Sequence, residues 1–153
     1  MTDFEIRAPR PLELDALSAL NMRSKAHWGY DSEFIAACKD ELTVTPQDVI
    51  STRLAAIKLD GQLVGMAQVA REGDDANLLK LFVDPPFIGT GAGRCLFDWC
   101  VLSARSMSAT RLLIEADPQA ASFYQHMGAR LIGTAPSGSL PGRTLPLLEF
   151  ALR

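Results

Sequence analysis

Three glycines at alternate positions of segment 89–93 form the strongest chemical signal in this sequence. They follow an apolar, strand-like run over 76–83 and precede a stretch over 94–105 with apolar residues at helical spacing. Glycine has no Cβ, so the main chain can bend tightly there and approach an anion closely. The unpaired N–H groups of a first helical turn, together with the helix dipole, bind phosphate oxygens. The segment therefore predicts a phosphate-binding turn, to which Arg94 adds a charge.

Other interpretations of this turn stay open or fit poorly. A glycine-rich hinge or a tight helix cap needs no ligand at all. A P-loop requires Lys and then Ser or Thr after its last glycine, whereas this chain has Arg94 and Cys95. A dinucleotide-binding fingerprint needs G-x-G-x-x-G near the first strand, and here both the spacing and the position differ.

Two motifs give the chain a family resemblance. Segment 81–85, Leu-Phe-Val-Asp-Pro, precedes the glycine segment 89–93. Segment 117–124, Asp-Pro-Gln-Ala-Ala-Ser-Phe-Tyr, follows the next strand-like run and is itself followed by Gly128. In order and spacing these motifs resemble those of the GNAT superfamily of acetyl-CoA-dependent N-acetyltransferases. Two positions depart from the usual pattern: Ile88 stands in place of Arg or Gln, and Asp117 stands in place of Asn.

The resemblance implies which residues bind acetyl-CoA as co-substrate. Main-chain groups of Phe82 and Val83 would pair with the pantetheine arm and orient the acetyl carbonyl. Amides from Gly89 through Arg94 would hold the pyrophosphate, although Ile88 removes one side-chain contact. The implied cofactor-binding set is Phe82, Val83, Ile88, Gly89, Thr90, Gly91, Ala92, Gly93, Arg94, Phe123 and Tyr124.

The resemblance also implies a general acid, and the residues offer several bases. Tyr124 would lie near the CoA sulfur and protonate the departing thiolate; its alternative is an aromatic residue of the core. An ammonium acceptor must lose a proton before it attacks, and a carboxylate or His usually accepts it. Glu115 lies in an apolar run, where burial would raise its pKa, but it could equally be a paired acid or point outward. Asp117 is a second candidate, and capping the next helix, with Pro118 at the first helical position, is its alternative role. The remaining candidate bases are Asp84, His27 and His126.

An aromatic segment is the candidate wall for the acceptor. His27, Trp28 and Tyr30 offer flat apolar area with polar tips, which suits an amine-bearing substrate. The alternative is that Trp28 anchors its loop in the core. On the other side, the loop over 139–143 could close the site, with Arg143 binding a substrate carboxylate.

The elements that must position these residues predict an α/β fold. The order β-α-α-β-β-β-α-β-α-β-β predicts one GNAT-like mixed sheet of about seven strands with helices on both faces. Asp60-Gly61 predicts a hairpin turn, and the unit over 76–116 predicts a parallel βαβ crossover. The apolar C-terminal strand, 145–152, is a candidate for pairing across a homodimer.

Composition limits the remaining possibilities. The 153 residues suit a single domain over 1–153, and the net charge of −3 without a Lys/Arg-rich run argues against a nucleic-acid partner. No signal peptide or membrane span is expected, which predicts a cytoplasmic protein. Three cysteines without metal-ligand spacing predict reduced packing residues and no metal.

Taken together, the sequence predicts an N-acetyltransferase that moves an acetyl group from acetyl-CoA to the primary amine of a small molecule by direct attack in a ternary complex. Two alternatives remain. One is an acyl-CoA-binding sensor of the same fold without turnover, and the other is a nucleotide or phosphosugar enzyme that uses the same glycine turn.

Overall fold

The computed structural model describes residues 3–138 and 140–153, which form seven strands and six helices. The strands are β1 (Phe4–Arg7), β2 (Arg53–Leu59), β3 (Gln62–Glu72), β4 (Asp75–Val83), β5 (Arg111–Glu115), β6 (Arg130–Pro136) and β7 (Thr144–Ala151). The helices are α1 (Leu14–Ala26), α2 (Ser32–Ala37), α3 (Lys39–Leu42), α4 (Pro46–Ser51), α5 (Ala92–Ser106) and α6 (Ala121–His126). One mixed sheet contains all seven strands in the order β1-β2-β3-β4-β5-β7-β6, and the predicted α/β architecture is confirmed.

The first four strands are antiparallel neighbours, and short hairpin turns join β2 to β3 and β3 to β4. Asp60 and Gly61 have φ angles of +51° and +80°, the two left-handed positions of the predicted hairpin turn. Gly73, with φ +62°, lies in the next hairpin turn. Strands β2 and β3 have helices on both faces, so long runs of both strands are buried.

Strands β4 and β5 are parallel, as predicted, but they pair over a short distance. Their register runs from Asp75 opposite Arg111 to Leu78 opposite Ile114. Beyond this point β4 continues along β3 as far as Val83, and β5 continues along β7. An irregularity in the β3–β4 register places Leu79 opposite no single residue, which is a β-bulge. The two parallel strands therefore separate after Leu78, and a cleft opens between their carboxyl ends.

Two apolar layers cover the sheet. On one face, α5 buries residues with the predicted helical spacing, including Leu96, Phe97 and Cys100. On the other face, Leu14 and Leu17 of α1 pack against strand residues such as Met66. The mouth of the cleft therefore has a helix on each side.

Several helix boundaries differ from the predictions. Pro11–Glu13 forms a 3-10 turn before α1, and α5 begins two residues before the predicted Arg94. The helical segment between Ser32 and Leu42 is divided into α2 and α3 at Cys38, whose N–H donates to the carbonyls of both Phe34 and Ile35. Asp31 is the N-cap, since its Oδ1 accepts a 2.8 Å hydrogen bond from the Phe34 N–H.

The C-terminal strand is not a sheet edge, so it does not offer the pairing across a homodimer for which the sequence made it a candidate. Strand β7 is inserted between β5 and β6 and pairs with both, so its main-chain groups are used within the chain. The edge strands are β1 and β6. The local pattern of a strand does not encode its place in the sheet order, because that place depends on strands distant in sequence.

Three further properties concern the described residues. Cys38, Cys95 and Cys100 are free thiols. Within 3–138 and 140–153, there is no group of three or more His, Cys, Asp or Glu side chains arranged to hold a metal ion. No helix in the same ranges has the length and apolar character needed to cross a bilayer.

Candidate functional site

A cleft of about 960 Å³ occupies the space between the diverging ends of β4 and β5. The glycine turn and α6 form one wall of the cleft. The opposite wall is formed by residues of α1, of the loop that follows it, of α3 and of α4. We call this opposite wall the α1–α4 wall; it comprises Ser24, Lys25, Trp28, Glu41, Leu42 and Asp48. The glycine turn, the end of β4 and the α1–α4 wall thus line one cleft.

The glycine turn adopts a backbone that other residues rarely adopt. Gly89 has φ +85°, and Gly91, the N-cap of α5, has φ +96°. A side chain at a left-handed position is disfavoured by about 1–2 kcal/mol, which explains glycine at both places. The first N–H bonded within the helix is that of Cys95, which donates to the Gly91 carbonyl at 3.1 Å. The amides of Ala92, Gly93 and Arg94 precede it and have no intrahelical acceptor.

One member of the predicted amide set is already used inside the turn. The Thr90 N–H donates to the Phe87 carbonyl at 3.3 Å, and the Thr90 hydroxyl donates to the same oxygen at 2.6 Å. The Ile88 N–H likewise donates to the Pro85 carbonyl. Ile88 has a 46% exposed side chain and lines the cleft, as does the exposed Arg94.

The third glycine lies where three elements meet. A Cβ at Gly93 would lie 3.4 Å from Phe123 Cζ and 3.8 Å from Val83 Cγ2. The start of α5, strand β4 and helix α6 therefore meet at this glycine. The cleft lining brings together nine of the predicted cofactor residues: Phe82, Val83, Ile88, Gly89, Gly91, Gly93, Arg94, Phe123 and Tyr124. Ala92 is buried behind them.

Tyr124 lies at the inner end of the cleft. Its side chain is buried, and its ring packs against those of Phe97 and Phe123 with centroids 6.0 Å and 5.2 Å away. Burial, and to a smaller extent the neighbouring Cys100, raises the pKa of the Tyr124 phenol. The phenol therefore keeps its proton throughout the neutral pH range, which is the form that a proton donor needs.

Asp117 is surrounded by hydrogen-bond donors. Its Oδ2 accepts from Lys25 Nζ at 2.8 Å and from the Tyr30 hydroxyl at 2.7 Å, and its Oδ1 accepts from the Gln119 N–H at 2.9 Å. Burial alone would raise the pKa of Asp117, but the hydrogen bonds from Lys25, Gln119 and Tyr30 outweigh it and lower that pKa. The carboxylate is thus ionised, and its lone pairs are largely occupied.

The predicted capping role of Asp117 is wrong. Helix α6 begins at Ala121, and its N-cap, Ala120, has no side-chain cap. Asp117 instead closes a turn, in which its own carbonyl accepts from the Ala120 N–H at 2.8 Å. Pro118 lies in this turn and not at the first position of the helix.

Of the alternatives for Glu115, the structure supports the one in which it points outward. Glu115 is the last residue of β5 and is exposed, although it lines the cleft. Leu112 and Ile114 point into the core, so the alternation of the strand turns Glu115 away from it. His126 is likewise exposed and lines the cleft. Asp84 is paired with Arg23 through two hydrogen bonds of 3.1 Å and 3.0 Å, which gives it a structural role.

The residues predicted to contact the acceptor take different places. Trp28 lines the cleft with a 38% exposed side chain, so it is not a core anchor. The exposed His27 contacts it edge to face, with ring centroids 5.5 Å apart. Tyr30 stacks on Phe34 at 4.3 Å, and its hydroxyl accepts a 3.0 Å hydrogen bond from Arg143. Neither Tyr30 nor Arg143 belongs to the cleft lining.

Arg143 is therefore engaged with protein. Its guanidinium carbon lies 4.9 Å from the centre of the Phe34 ring, and its NH2 lies 3.9 Å from Asp117 Oδ2. Of the loop in which it was predicted to act, Ser139 lies outside the described residues.

Sequence reasoning missed Lys25, Lys80 and Gln68, all of which line the cleft. Lys80 had a local signal, since it is the one charged residue between Ala76 and Val83. Lys25 had none, because its partner Asp117 lies 92 positions away in the chain. Gln68 is 2% exposed in the middle of β3. It had a local signal too, since it is the one polar side chain in the apolar run from Leu63 to Ala70.

Comparison with known protein families agrees with this geometry. The family described as "Acetyltransferase (GNAT) domain" matches residues 51–128, which is just over half of the chain and includes β4, the glycine turn and α6. The chain belongs to the GNAT acetyltransferase family.

The chain also resembles individual proteins of that family. Uncharacterised N-acetyltransferases of Mycobacterium bovis and Mycobacterium tuberculosis are 33% identical to it over an alignment of 79 residues. The alignment covers 49% of this chain and 51% of the relative. The match thus spans about half the length of these curated relatives.

Solved structures share the whole fold at low identity. The GCN5-related N-acetyltransferase from Rhodopseudomonas palustris has a TM-score of 0.80 at 20% identity, covering 99% of this chain and 98% of that one. PaiA N-acetyltransferase from Thermoplasma acidophilum, in complex with coenzyme A, has a TM-score of 0.77 at 18% identity, with 97% and 99% covered. YncA from Salmonella typhimurium, with its cofactor acetyl-CoA, has a TM-score of 0.70 at 17% identity, with 99% and 95% covered.

Proposed function

We propose that this protein is an N-acetyltransferase that transfers the acetyl group of acetyl-CoA to the primary amine of a small molecule, by direct attack in a ternary complex. One observation carries the proposal: a single cleft joins the glycine turn, the unpaired end of β4 and the phenol of Tyr124. The complexes of the similar folds with coenzyme A and acetyl-CoA support it.

The residues present fit acetyl-CoA. Free amides at Gly91 through Arg94 suit the pyrophosphate, and Arg94 adds a positive charge beside them. Beyond Leu78 the edge of β4 that faces β5 has no strand partner among the described residues. Neighbouring residues of a strand direct their main-chain groups to opposite edges, and the N–H of Asp84 donates to the Val64 carbonyl of β3, so Phe82 also faces β3 and Val83 faces the open edge. The main-chain groups of Val83 can therefore bond an amide-containing arm in the way an added strand would. When bound, acetyl-CoA supplies an acetyl group activated as a thioester.

Two side chains handle the protons in this proposal. Tyr124 donates its phenolic proton to the sulfur that leaves, and its burial keeps that proton in place until then. Glu115 accepts the proton of the incoming ammonium, directly or through water, from the end of β5 across the cleft. Asp117 is the poorer base of the two, because three donors already occupy its carboxylate.

The experiment measures CoA thiol release from acetyl-CoA with a panel of primary amines, beside the thermal shift caused by acetyl-CoA, ATP and NAD. We expect stabilisation by acetyl-CoA and amine-dependent thiol release. Stabilisation without release for any amine would favour an acyl-CoA sensor. Stabilisation by ATP or NAD alone would reject the acetyl-CoA site.

A further inference from the structure

Lys80 is a partly buried cation in the wall of the cleft. It lies on β4, two residues before Phe82, and its Nζ donates a 2.8 Å hydrogen bond to Gln68 Oε1. Glu41 and Asp48 of the α1–α4 wall line the same cleft as Lys80. Lys80 therefore faces the part of the cleft left for an acceptor once the glycine turn and the β4 edge hold the cofactor.

A buried polar chain holds Lys80 in this place. The Thr52 hydroxyl donates to the Asp48 carbonyl at 2.6 Å, so its oxygen accepts the 3.0 Å hydrogen bond from Gln68 Nε2. This orientation turns Gln68 Oε1 toward Lys80. A buried amide of fixed orientation thus takes one of the three ammonium donors and leaves the others for a ligand.

The other cations that line the cleft are committed elsewhere. Lys25 is paired with Asp117 at 2.8 Å, and Arg94 lies at the glycine turn. Lys80, by contrast, has no carboxylate of the described residues within 4.0 Å of its Nζ. Asp48 is itself engaged, since its Oδ2 accepts from the Thr45 N–H at 2.9 Å. Burial lowers the pKa of Lys80, and the charges of Asp48 and Glu41 offset this only in part.

A partly buried cation without a close counter-charge is stabilised by an anionic ligand. Besides Asp117, which is paired with Lys25, the lining of the cleft carries three carboxylates, those of Glu41, Asp48 and Glu115. These oppose a doubly charged phosphate more than a singly charged carboxylate. Leu42, Leu79 and Leu145 add apolar surface to the same lining.

We propose that Lys80 determines acceptor specificity by binding a carboxylate, so that the acceptor is an amino acid-like amine with an apolar body. This inference rests on the proposed acetyltransferase function. It assigns to Lys80 the carboxylate contact that the sequence suggested for Arg143, whose guanidinium is engaged with Tyr30 and Phe34.

The test compares kcat/KM for L-leucine, L-leucinamide, 3-methylbutylamine, 5-aminopentanoate and 1,5-diaminopentane. For each enzyme, kcat/KM of each acid is divided by kcat/KM of its counterpart that lacks the carboxylate. Dividing the wild-type ratio by the variant ratio cancels the intrinsic reactivity of the acceptors. We expect Lys80→Met to lower the ratio of kcat/KM for the acid to kcat/KM for its counterpart roughly ten- to a hundredfold, for at least one acid. This is the range of a hydrogen bond to a charged group. The change should lie mainly in KM, and Lys80→Arg should keep part of the preference.

Lys39→Met is the matched control, since Lys39 is an exposed lysine of α3 outside the cleft lining. It should leave the ratio unchanged, and all variants should keep the wild-type thermal shift with acetyl-CoA. An unchanged ratio in Lys80→Met overturns the inference. A wild-type enzyme that prefers 1,5-diaminopentane, L-leucinamide or 3-methylbutylamine to the acids overturns it as well. In those cases turnover itself upholds the proposed function. Absence of turnover with every amine rejects the proposed function and this inference with it.

Discussion

The hydroxyl of Tyr30 donates a 2.7 Å hydrogen bond to the carboxylate of Asp117, although 87 positions separate the two residues. Lys25 reaches the same oxygen from α1. Next to Asp117, Gln119 Nε2 donates to the Trp28 carbonyl at 3.2 Å. These contacts attach the end of α1 and the aromatic loop to the segment after β5, and so they set the position of Trp28 over the cleft.

Removing the charge of Asp117 should loosen this attachment. We expect Asp117→Asn to lower the free energy of unfolding by about 2 kcal/mol, because charged hydrogen bonds from Lys25 and Tyr30 are weakened. For a chain of this size that is a fall of roughly 4–8 °C in Tm, measured by calorimetry. Asp98→Asn, at an exposed position of α5, is the control and should change Tm little. The Tm change caused by Asp117→Asn should be smaller when Lys25 is already replaced by Met. An equal change in both backgrounds would show that the two residues are uncoupled, contrary to the structure.

Glu13 should make the stability of the protein sensitive to acid. The side chain of Arg7 donates to it at 2.8 Å and 2.9 Å, which outweighs the opposing effect of burial and lowers the pKa of Glu13 to about 2. In the unfolded chain the pKa of Glu is about 4.3. The folded state therefore binds the proton less readily, and the stabilisation is fully present above about pH 4.3 and lost as the pH falls toward 2.

Thermal unfolding of wild type and Glu13→Gln between pH 2 and pH 7 measures this effect. We expect the variant to be less stable at pH 7 and the two proteins to converge near pH 2. A difference in Tm that stays constant over the whole range would contradict the ionic role of Glu13.

Gly91 should be essential for cofactor binding. Gly91→Glu brings a negative charge to the amides that precede Cys95, so we expect no detectable acetyl-CoA binding by titration calorimetry. Gly61→Glu is matched to it, because Gly61 also has a positive φ, of +80°, with no atom within 4 Å of an added Cβ, and it lies in a hairpin turn away from the cleft. That control should bind normally despite similar backbone strain. Normal binding by Gly91→Glu would refute the phosphate site.

Tyr124 should affect turnover more than binding. Tyr124→Phe keeps the ring packed against Phe97 and removes the proton donor, so we expect kcat to fall about a hundredfold or more, in the range of general acid catalysis. The Kd for acetyl-CoA should change little. Steady-state kinetics beside calorimetry makes the measurement, and equal turnover would remove Tyr124 from the mechanism.

Features encoded by neighbouring residues were predicted well from the sequence. The Asp60-Gly61 turn, the helix after the glycines and the parallel β4–β5 pair follow from local backbone preferences and spacing. The alternatives for Glu115 stayed open because Leu113 makes the β5 segment look continuously apolar, whereas only alternate residues of this strand enter the core.

Contacts between distant segments had no such signal. The ion pair of Lys25 with Asp117 requires α1 and the end of β5 to meet, and the insertion of β7 beside β5 depends on the order of the whole sheet. Both are properties of the tertiary fold, so the residues involved are ordinary when read one at a time. The α1–α4 wall of the cleft is held largely by contacts of this kind.

The early end of the β4–β5 pairing also bears on self-association. A free strand edge on the outside of a sheet can template the addition of another chain. Here the free segment lies within a narrow wedge whose opposite side is β5, itself already paired with β7. A strand of another protein that paired with this segment would have to enter the cleft between β4 and β5. The fold thus places these unpaired main-chain groups inside a cleft, and not along the outer edge of the sheet.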